Sequence, residues 1–243
     1  MPNKGEKGEI NITKQIYRHR NDRLWVLKYF GYDSRIALMH PKDYDDWATC
    51  GILRFIEHED GLQKAGRSYK ADIILTFLDV RVTKRVSIKC FDGGPPTILN
   101  HTPRTAKCWS ETLDPPDAIV AKMNAMRSLG VCREDIPLSR LRLGDQEMEH
   151  LRKIVTYFVS IGSGSRKSKV PCDSIMYIRD GEIIQFYSSV SDYVDTLIET
   201  RKLVLSMRSK GYTSKKALAD REWVYQEPYG KPKGALNIRL STN

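Results

Sequence analysis

A chain of 243 residues is long enough for one substantial hydrophobic core, and nothing in it forces a second domain of independent size. Its 40 Lys and Arg against 30 Asp and Glu give a formal charge of +10 and a pI near 9.3, which points to a polyanionic partner, nucleic acid first. No stretch approaches the roughly 18 consecutive apolar residues of a spanning helix, and MPNKGEKGE has no apolar secretory stretch, so no membrane association and a cytoplasmic location are expected.

Residues 1–9 are polar and are expected to be loose. Over residues 13–29, Ile16, Tyr17, Leu24 and Leu27 recur at helical spacing, and Thr13 can cap the start, which predicts one helix. Pro41 opens a second, with Tyr44, Trp47, Ile52 and Phe55 on its apolar face. After the loop GLQKAGRS, residues 70–80 and 85–91 are rich in Ile, Leu, Val and Phe and are joined by a short polar link. They read as a β-hairpin at the heart of a sheet.

The stretch FDGGPPTILNHTPRT is predicted to be loop by its Gly and Pro content. Pro115 and Pro116 open a helix ending at Gly130, with Ile119, Met123 and Met126 on one face, and another helix covers residues 145–159. GSGSRKSK, residues 162–169, reads as a linker or flexible loop. In MYIRDGEIIQF, Asp180-Gly181 between two apolar runs is a hairpin turn. A helix over 191–200 and a strand over 203–207 follow, then a basic tail containing WVYQEPYGKPKGALNIRL. Strands with helices on both sides predict an α/β fold: a mixed central β-sheet flanked by helices in a single main domain. Residues 1–160 would hold the N-terminal helices and the sheet with hairpin 70–91, and residues 161–243 would add strands and basic segments to the same domain.

Cys50, Cys90, Cys108, Cys132 and Cys172 are odd in number and form no Cys-x-x-Cys pair, which argues against a disulfide framework or a structural zinc site. The five histidines are equally scattered, against a His-built metal centre. Phosphodiester cleavage needs an oxygen ligand for a divalent cation, a means of activating water, and positive charge near the transition state. A carboxylate and a lysine on neighbouring strands can supply these. Asp72 stands near the start of the first central strand, and Ser87-Ile88-Lys89 lies on the next. Side chains alternate across a strand, so Ser87 and Lys89 share a face that can also receive Asp72, while Ile88 turns away. The same pattern also describes a solvated sheet edge.

The segments GRSYKADIILTF and RVSIKC resemble the active-site hairpin of the PD-(D/E)XK nuclease superfamily, specifically its small type II restriction-enzyme branch that cuts four-base G/C sites. Ser68, Lys70 and Asp72 fit the first half of that pattern, and Ser87, Ile88 and Lys89 the second. The similarity runs over roughly residues 60–240 and is specific at the hairpin. It implies a restriction-endonuclease-like fold and a Mg²⁺-dependent, sequence-specific endonuclease acting on double-stranded DNA. Asp72 and the Ile88 carbonyl would hold the cation, Ser87 would support a water, and Lys89 would orient or deprotonate the attacking water.

The superfamily's usual acidic residue is Ser87 here, a far poorer ligand than a carboxylate, although the related small enzymes resemble this chain in carrying a neutral amide there. A second carboxylate is therefore expected from Glu57, Glu59 or Asp60. Lys70 shares the face of Asp72 and is a candidate phosphate contact. Asn100, His101 and Arg104 follow the hairpin as candidate substrate contacts, while a thiol pair of His101 with Cys90 or Cys108 has no supporting pattern. Phosphate contacts are expected from Arg166, Lys167 and Lys169, from Arg208, Lys210, Lys215 and Lys216, and from Lys231, Lys233 and Arg239. Gln226, Lys231, Lys233 and Asn237 are of the types that read base edges. Trp109, Trp223 and Tyr229 suit either base stacking or core packing. A repair or structure-specific nuclease on the same fold, and a non-catalytic DNA-binding protein in which Ser87 marks a dead site, are the alternatives; monomer and homodimer both stay open.

Overall fold

A computed structural model of the chain describes residues 4–44, 55–66, 68–92, 94–100, 119, 122, 125, 135–163, 166–208 and 235–241. Its elements, in chain order, are α1 (Lys4–Arg18), α2 (Arg23–Phe30), β1 (Ile36–Met39), β2 (Ile73–Phe77), β3 (Val82–Cys90), β4 (Thr97–Asn100) and β5 (Asp135–Pro137). They continue with α3 (Asp145–Thr156), β6 (Gly162–Ser163), β7 (Arg166–Lys167), β8 (Ser174–Arg179), β9 (Glu182–Tyr187), α4 (Val190–Glu199), β10 (Leu203–Arg208) and β11 (Ala235–Leu240). The fold is mixed α/β. Contacts divide it into two compact units, each assembled from two stretches: Met1–Gly94 with Ser168–Tyr193, and Pro95–Lys167 with Val194–Asn243.

The first unit is built on a mixed sheet of order β1-β2-β3-β8-β9, antiparallel throughout except for the parallel pair β3–β8. Every residue of β2 is buried, as the run IILTF, apolar except for Thr76, suits in a strand covered on both faces. On α1, Gly8, Ile12 and Ile16 are buried at four-residue intervals, so one stripe of the helix faces the sheet. Ile12 and Ile16 join Ile73, Leu75, Phe77, Val86, Ile88, Met176 and Ile178 in one core, where each buried aliphatic or aromatic side chain contributes about 1.5–3 kcal/mol.

The single helix predicted over 13–29 is two helices. Asp22 caps α2 by accepting from the Trp25 N–H at 3.1 Å, and this local bond ends one helix and begins the next. Thr13 is interior to α1, its hydroxyl donating to the Glu9 carbonyl at 2.7 Å, and the expected loose start is helical from Lys4 onward. The hairpin 70–91 forms as β2 and β3, with Ile73 opposite Val86. Asp180 and Gly181, at φ 51° and 79°, make the tight connection of β8 to β9. Of the helix expected after Pro41, residues 41–44 are helical, and Trp47 and Ile52 lie outside the described residues.

The second unit contains an antiparallel sheet of order β4-β11-β10-β5 and the small pair β6–β7. Strand β4 falls within the stretch predicted as loop, because β11 offers it a ladder that local sequence does not reveal. The predicted 145–159 helix is α3 followed by a π-helical turn, Tyr157–Ile161. Within the predicted linker, Gly162 and Ser163 pair with Lys167 and Arg166 as β6 and β7. Of the helix predicted to end at Gly130, residues 119, 122 and 125 are described and helical. No described helix is long and apolar enough to cross a membrane.

Candidate active site

Strand β2 parts from β3 at its N-terminal end, where the Lys70 and Ala71 N–H groups turn to the Val170 carbonyl, at 3.1 and 3.2 Å. At this fork Asp72 takes over from the backbone. Its N–H donates to the Val86 carbonyl at 2.8 Å, and its Oδ2 accepts the Ile88 N–H at 2.7 Å. In an antiparallel pair, the N–H and C=O of one residue face the same neighbour, so the Ile88 carbonyl is directed to the opening where Asp72 sits.

Ser87, only 1% exposed, donates its hydroxyl to Asp72 Oδ2 at 3.2 Å, and Lys89 Nζ donates to Ser87 Oγ at 2.8 Å. Ammonium, hydroxyl and carboxylate thus form one chain across the fork. Ser87 thus binds the carboxylate on one side and the lysine on the other.

A further group comes from α1. Glu9 lines a cavity of about 10 Å³ with Thr13, Lys64, Asp72 and Ile88, room for about one water-sized occupant. Among the described residues Glu9 Oε2 accepts no hydrogen bond, although it is buried; Lys64 Nζ lies 3.6 Å away and donates to Glu6 Oε1 at 2.8 Å. Burial, and then the negative charge of Asp72, push the Glu9 carboxyl up to about 7, against the opposing pull of Lys64 and Lys89. Burial raises the Asp72 carboxyl too, with Lys89, the Ile88 N–H and the Ser87 hydroxyl opposing it. Lys70 is depressed to about 8, by burial and then by repulsion from Lys89.

Glu9, and not Glu57, Glu59 or Asp60, lines the cavity beside Asp72. Glu57 is exposed, with its backbone carbonyl accepting the Tyr17 hydroxyl, and Glu59 is held by Arg18 at 2.9 Å and Lys14 at 3.9 Å. Asp60 is exposed beside them. Tyr17, Lys14 and Arg18 therefore tie this segment to α1 through groups that do not enter the cavity. The four-residue spacing of Gly8, Ile12 and Ile16 marks the buried stripe of α1 upstream of Thr13 but does not single out the carboxylate beside it.

The other predicted residues are dispersed. Asn100 and Asn237 are opposite each other in β4 and β11, and Asn237 is 3% exposed, which withdraws it from any base edge. Arg166 is in β7, and Lys167 and Lys169 are exposed. His101, Arg104, Lys215, Lys216, Gln226, Lys231 and Lys233 lie outside the described residues, as do Trp109, Trp223 and Tyr229. Burial raises the Cys90 thiol and pushes the Cys172 thiol up to about 11, which disfavours the thiolate that nucleophilic attack requires.

Comparison of the chain with protein families, with curated proteins and with solved structures finds no match.

Proposed function

We propose that the protein is a Mg²⁺-dependent, sequence-specific endonuclease of double-stranded DNA, of the type II restriction kind, with the PD-(D/E)XK plan that its hairpin resembles. One observation carries this reading: Asp72, Ser87 and Lys89 converge at the β2–β3 fork, and Glu9 brings a second carboxylate to the same small cavity. The mixed sheet with α1 packed on β3 supports a restriction-endonuclease-like fold. The charge of +10 supports a polyanionic substrate. Cytoplasmic DNA is the target that such an enzyme would meet.

The donor set fits Mg²⁺. This ion is held by one or two carboxylates and completes its shell with water and phosphate oxygens. Asp72 and Glu9 line one cavity with Ile88, whose carbonyl turns to the same opening, so these are the protein oxygens that would hold the ion. An unbonded, buried Glu9 oxygen beside a second carboxylate is an arrangement that a cation would satisfy. When bound, the ion supplies positive charge to phosphoryl oxygens and lowers the pKa of water.

The chain's own residues do the rest. Ser87 holds Lys89 and Asp72 in one orientation, so the ammonium is preorganised where negative charge develops during phosphodiester cleavage. Lys89 orients the attacking water as the ammonium or, once it has lost its own proton, takes one from that water, a contribution of about 10²–10⁴ in rate for a positioned acid or base. Lys70 adds a second cation beside Lys89 for phosphate.

Incubation of plasmid DNA with Mg²⁺ is expected to yield discrete fragments. Asp72→Ala and Lys89→Ala should each slow cutting by at least about 10²-fold, with DNA affinity in Ca²⁺ kept within a few fold. Full cleavage by either purified variant rejects the assignment. Cutting restricted to mismatched or branched DNA would move the reading to a repair nuclease, and a mobility shift without cleavage to a DNA-binding protein.

A further inference from the structure

We infer that Gly8 is a positioning residue of the cation site: its missing side chain lets α1 lie close enough on β3 to set Glu9 beside Asp72. The inference rests on the reading of Glu9 and Asp72 as cation ligands and goes beyond it, because Gly8 touches neither ion nor substrate.

Gly8 is buried in the stripe that α1 turns to the sheet. A Cβ at this position would lie 3.0 Å from Cys90 Sγ, 3.3 Å from Ile178 Cδ1 and 3.6 Å from Cys90 Cβ. Ordinary contacts between such atoms are about 3.5–4.0 Å, so a side chain here requires either these neighbours or α1 itself to give by a few tenths of an ångström. The tip of Ile178 can rotate aside, whereas Cys90 Sγ can turn only about its single side-chain torsion and the Cβ that carries it is fixed to the strand. Glycine weakens a helix interior by about 1 kcal/mol relative to alanine, and close packing is the compensation visible here.

The consequence lies in the neighbours of this contact. Glu9 follows Gly8, and Cys90 follows Lys89. One helix-to-strand contact therefore fixes the distance between the carboxylate supplied by α1 and the strand that carries Ser87, Ile88 and Lys89. Mg²⁺ demands near-ideal octahedral geometry at about 2.0–2.1 Å, and Ca²⁺ accepts looser shells at about 2.3–2.6 Å. Retreat of a single ligand by a few tenths of an ångström approaches the roughly 0.5 Å that a functional site tolerates. Gly8→Ala should accordingly cost more in Mg²⁺ affinity than in Ca²⁺ affinity, a selectivity change that simple loss of stability does not produce.

The test is calorimetric titration of the full chain with Mg²⁺ and with Ca²⁺, without DNA. Gly8→Ala is expected to weaken Mg²⁺ binding on the order of tenfold and Ca²⁺ binding about two- to threefold. Adding Cys90→Ala removes the 3.0 Å contact and leaves 3.3 Å to the rotatable tip of Ile178 and 3.6 Å to the Cβ of residue 90, so the Gly8→Ala/Cys90→Ala chain should regain most of the Mg²⁺ affinity. In a Glu9→Gln background, Gly8→Ala should change little, because the ligand it positions is already lost. Unchanged Mg²⁺ affinity in Gly8→Ala, an equal loss in the Glu9→Gln background, or no recovery on adding Cys90→Ala would each overturn the inference. Should Gly8→Ala fail to fold, the Gly8→Ala/Cys90→Ala chain measured against Cys90→Ala gives the same decision: Mg²⁺ affinities within threefold support it, and a tenfold gap overturns it. A wild-type chain that binds neither ion would instead remove the premise that Glu9 and Asp72 hold a cation.

Discussion

Two carboxylates withdrawn from water beside each other oppose each other's ionisation, and at the β2–β3 fork this opposition has a measurable sign. Glu9 is raised from 4.5 to about 7 in the folded chain. Between those values the folded state keeps a proton that the unfolded state has lost, so stability falls as pH rises through the window and levels off above it. In EDTA, the wild-type chain should lose on the order of 1–3 kcal/mol between pH 5 and pH 8 relative to Glu9→Gln, which has no charge to develop there. Urea unfolding of both proteins at the two pH values checks this, and a pH-independent difference between them would refute it. Mg²⁺ should recover the loss at pH 8, because its ligands bind deprotonated. Asp72, Ser87 and Lys89 were legible in the sequence since strand alternation alone puts the last two on one face. Glu9 was not. It is far upstream in the chain, and the polar residues around it hide a helix whose buried stripe starts at a glycine.

At the scale of elements, legibility followed how much of each was decided locally. The β8–β9 hairpin could be read from two residues because both must adopt positive φ, and Asp-Gly is suited to that. Gly181, at φ 79°, should therefore be sensitive: Gly181→Ala is expected to destabilise the chain by about 1–2 kcal/mol, and Asp180→Gly, at φ 51°, far less. Thermal unfolding of both variants tests the pair, and equal effects would mean the turn is not what holds the hairpin. The β2–β3 link is held differently. Asp79 accepts the Arg35 N–H at 2.8 Å and its guanidinium at 3.0 Å, a brace to the residue before β1 that no local pattern announces. Strand β4 was misread for the same reason: its neighbours in sequence are Gly and Pro, whereas its partner is β11 at the far end of the chain. The break between α1 and α2 was missed because apolar periodicity continues through it, and only the Asp22 cap marks the interruption.

At the scale of the whole molecule, the basic excess is informative only where cations lack partners of opposite sign. Many described cations are matched: Arg23 with Asp33, Arg35 with Asp79, Lys64 with Glu6, Arg85 with Asp173, Arg152 with Asp195, and Arg239 with Asp135. Over residues 208–234 the sequence instead sets Arg208, Lys210, Lys215, Lys216, Arg221, Lys231 and Lys233 against Asp220, Glu222 and Glu227. That segment is where polyanion contacts should concentrate. Each phosphate neutralised releases counterions and adds about 0.9 to the slope of log K against log salt. If Lys231 and Lys233 both reach phosphate, replacing both with alanine should reduce that slope by about 1.8, with binding weakened most at low salt. If Asp72 serves cleavage as proposed, Asp72→Ala should leave the slope in Ca²⁺ nearly unchanged, which separates holding DNA from cutting it. Fluorescence anisotropy of a duplex between 50 and 200 mM salt, in Ca²⁺, decides the matter, since an unchanged slope in the Lys231→Ala/Lys233→Ala chain would take this segment off the phosphate-binding surface.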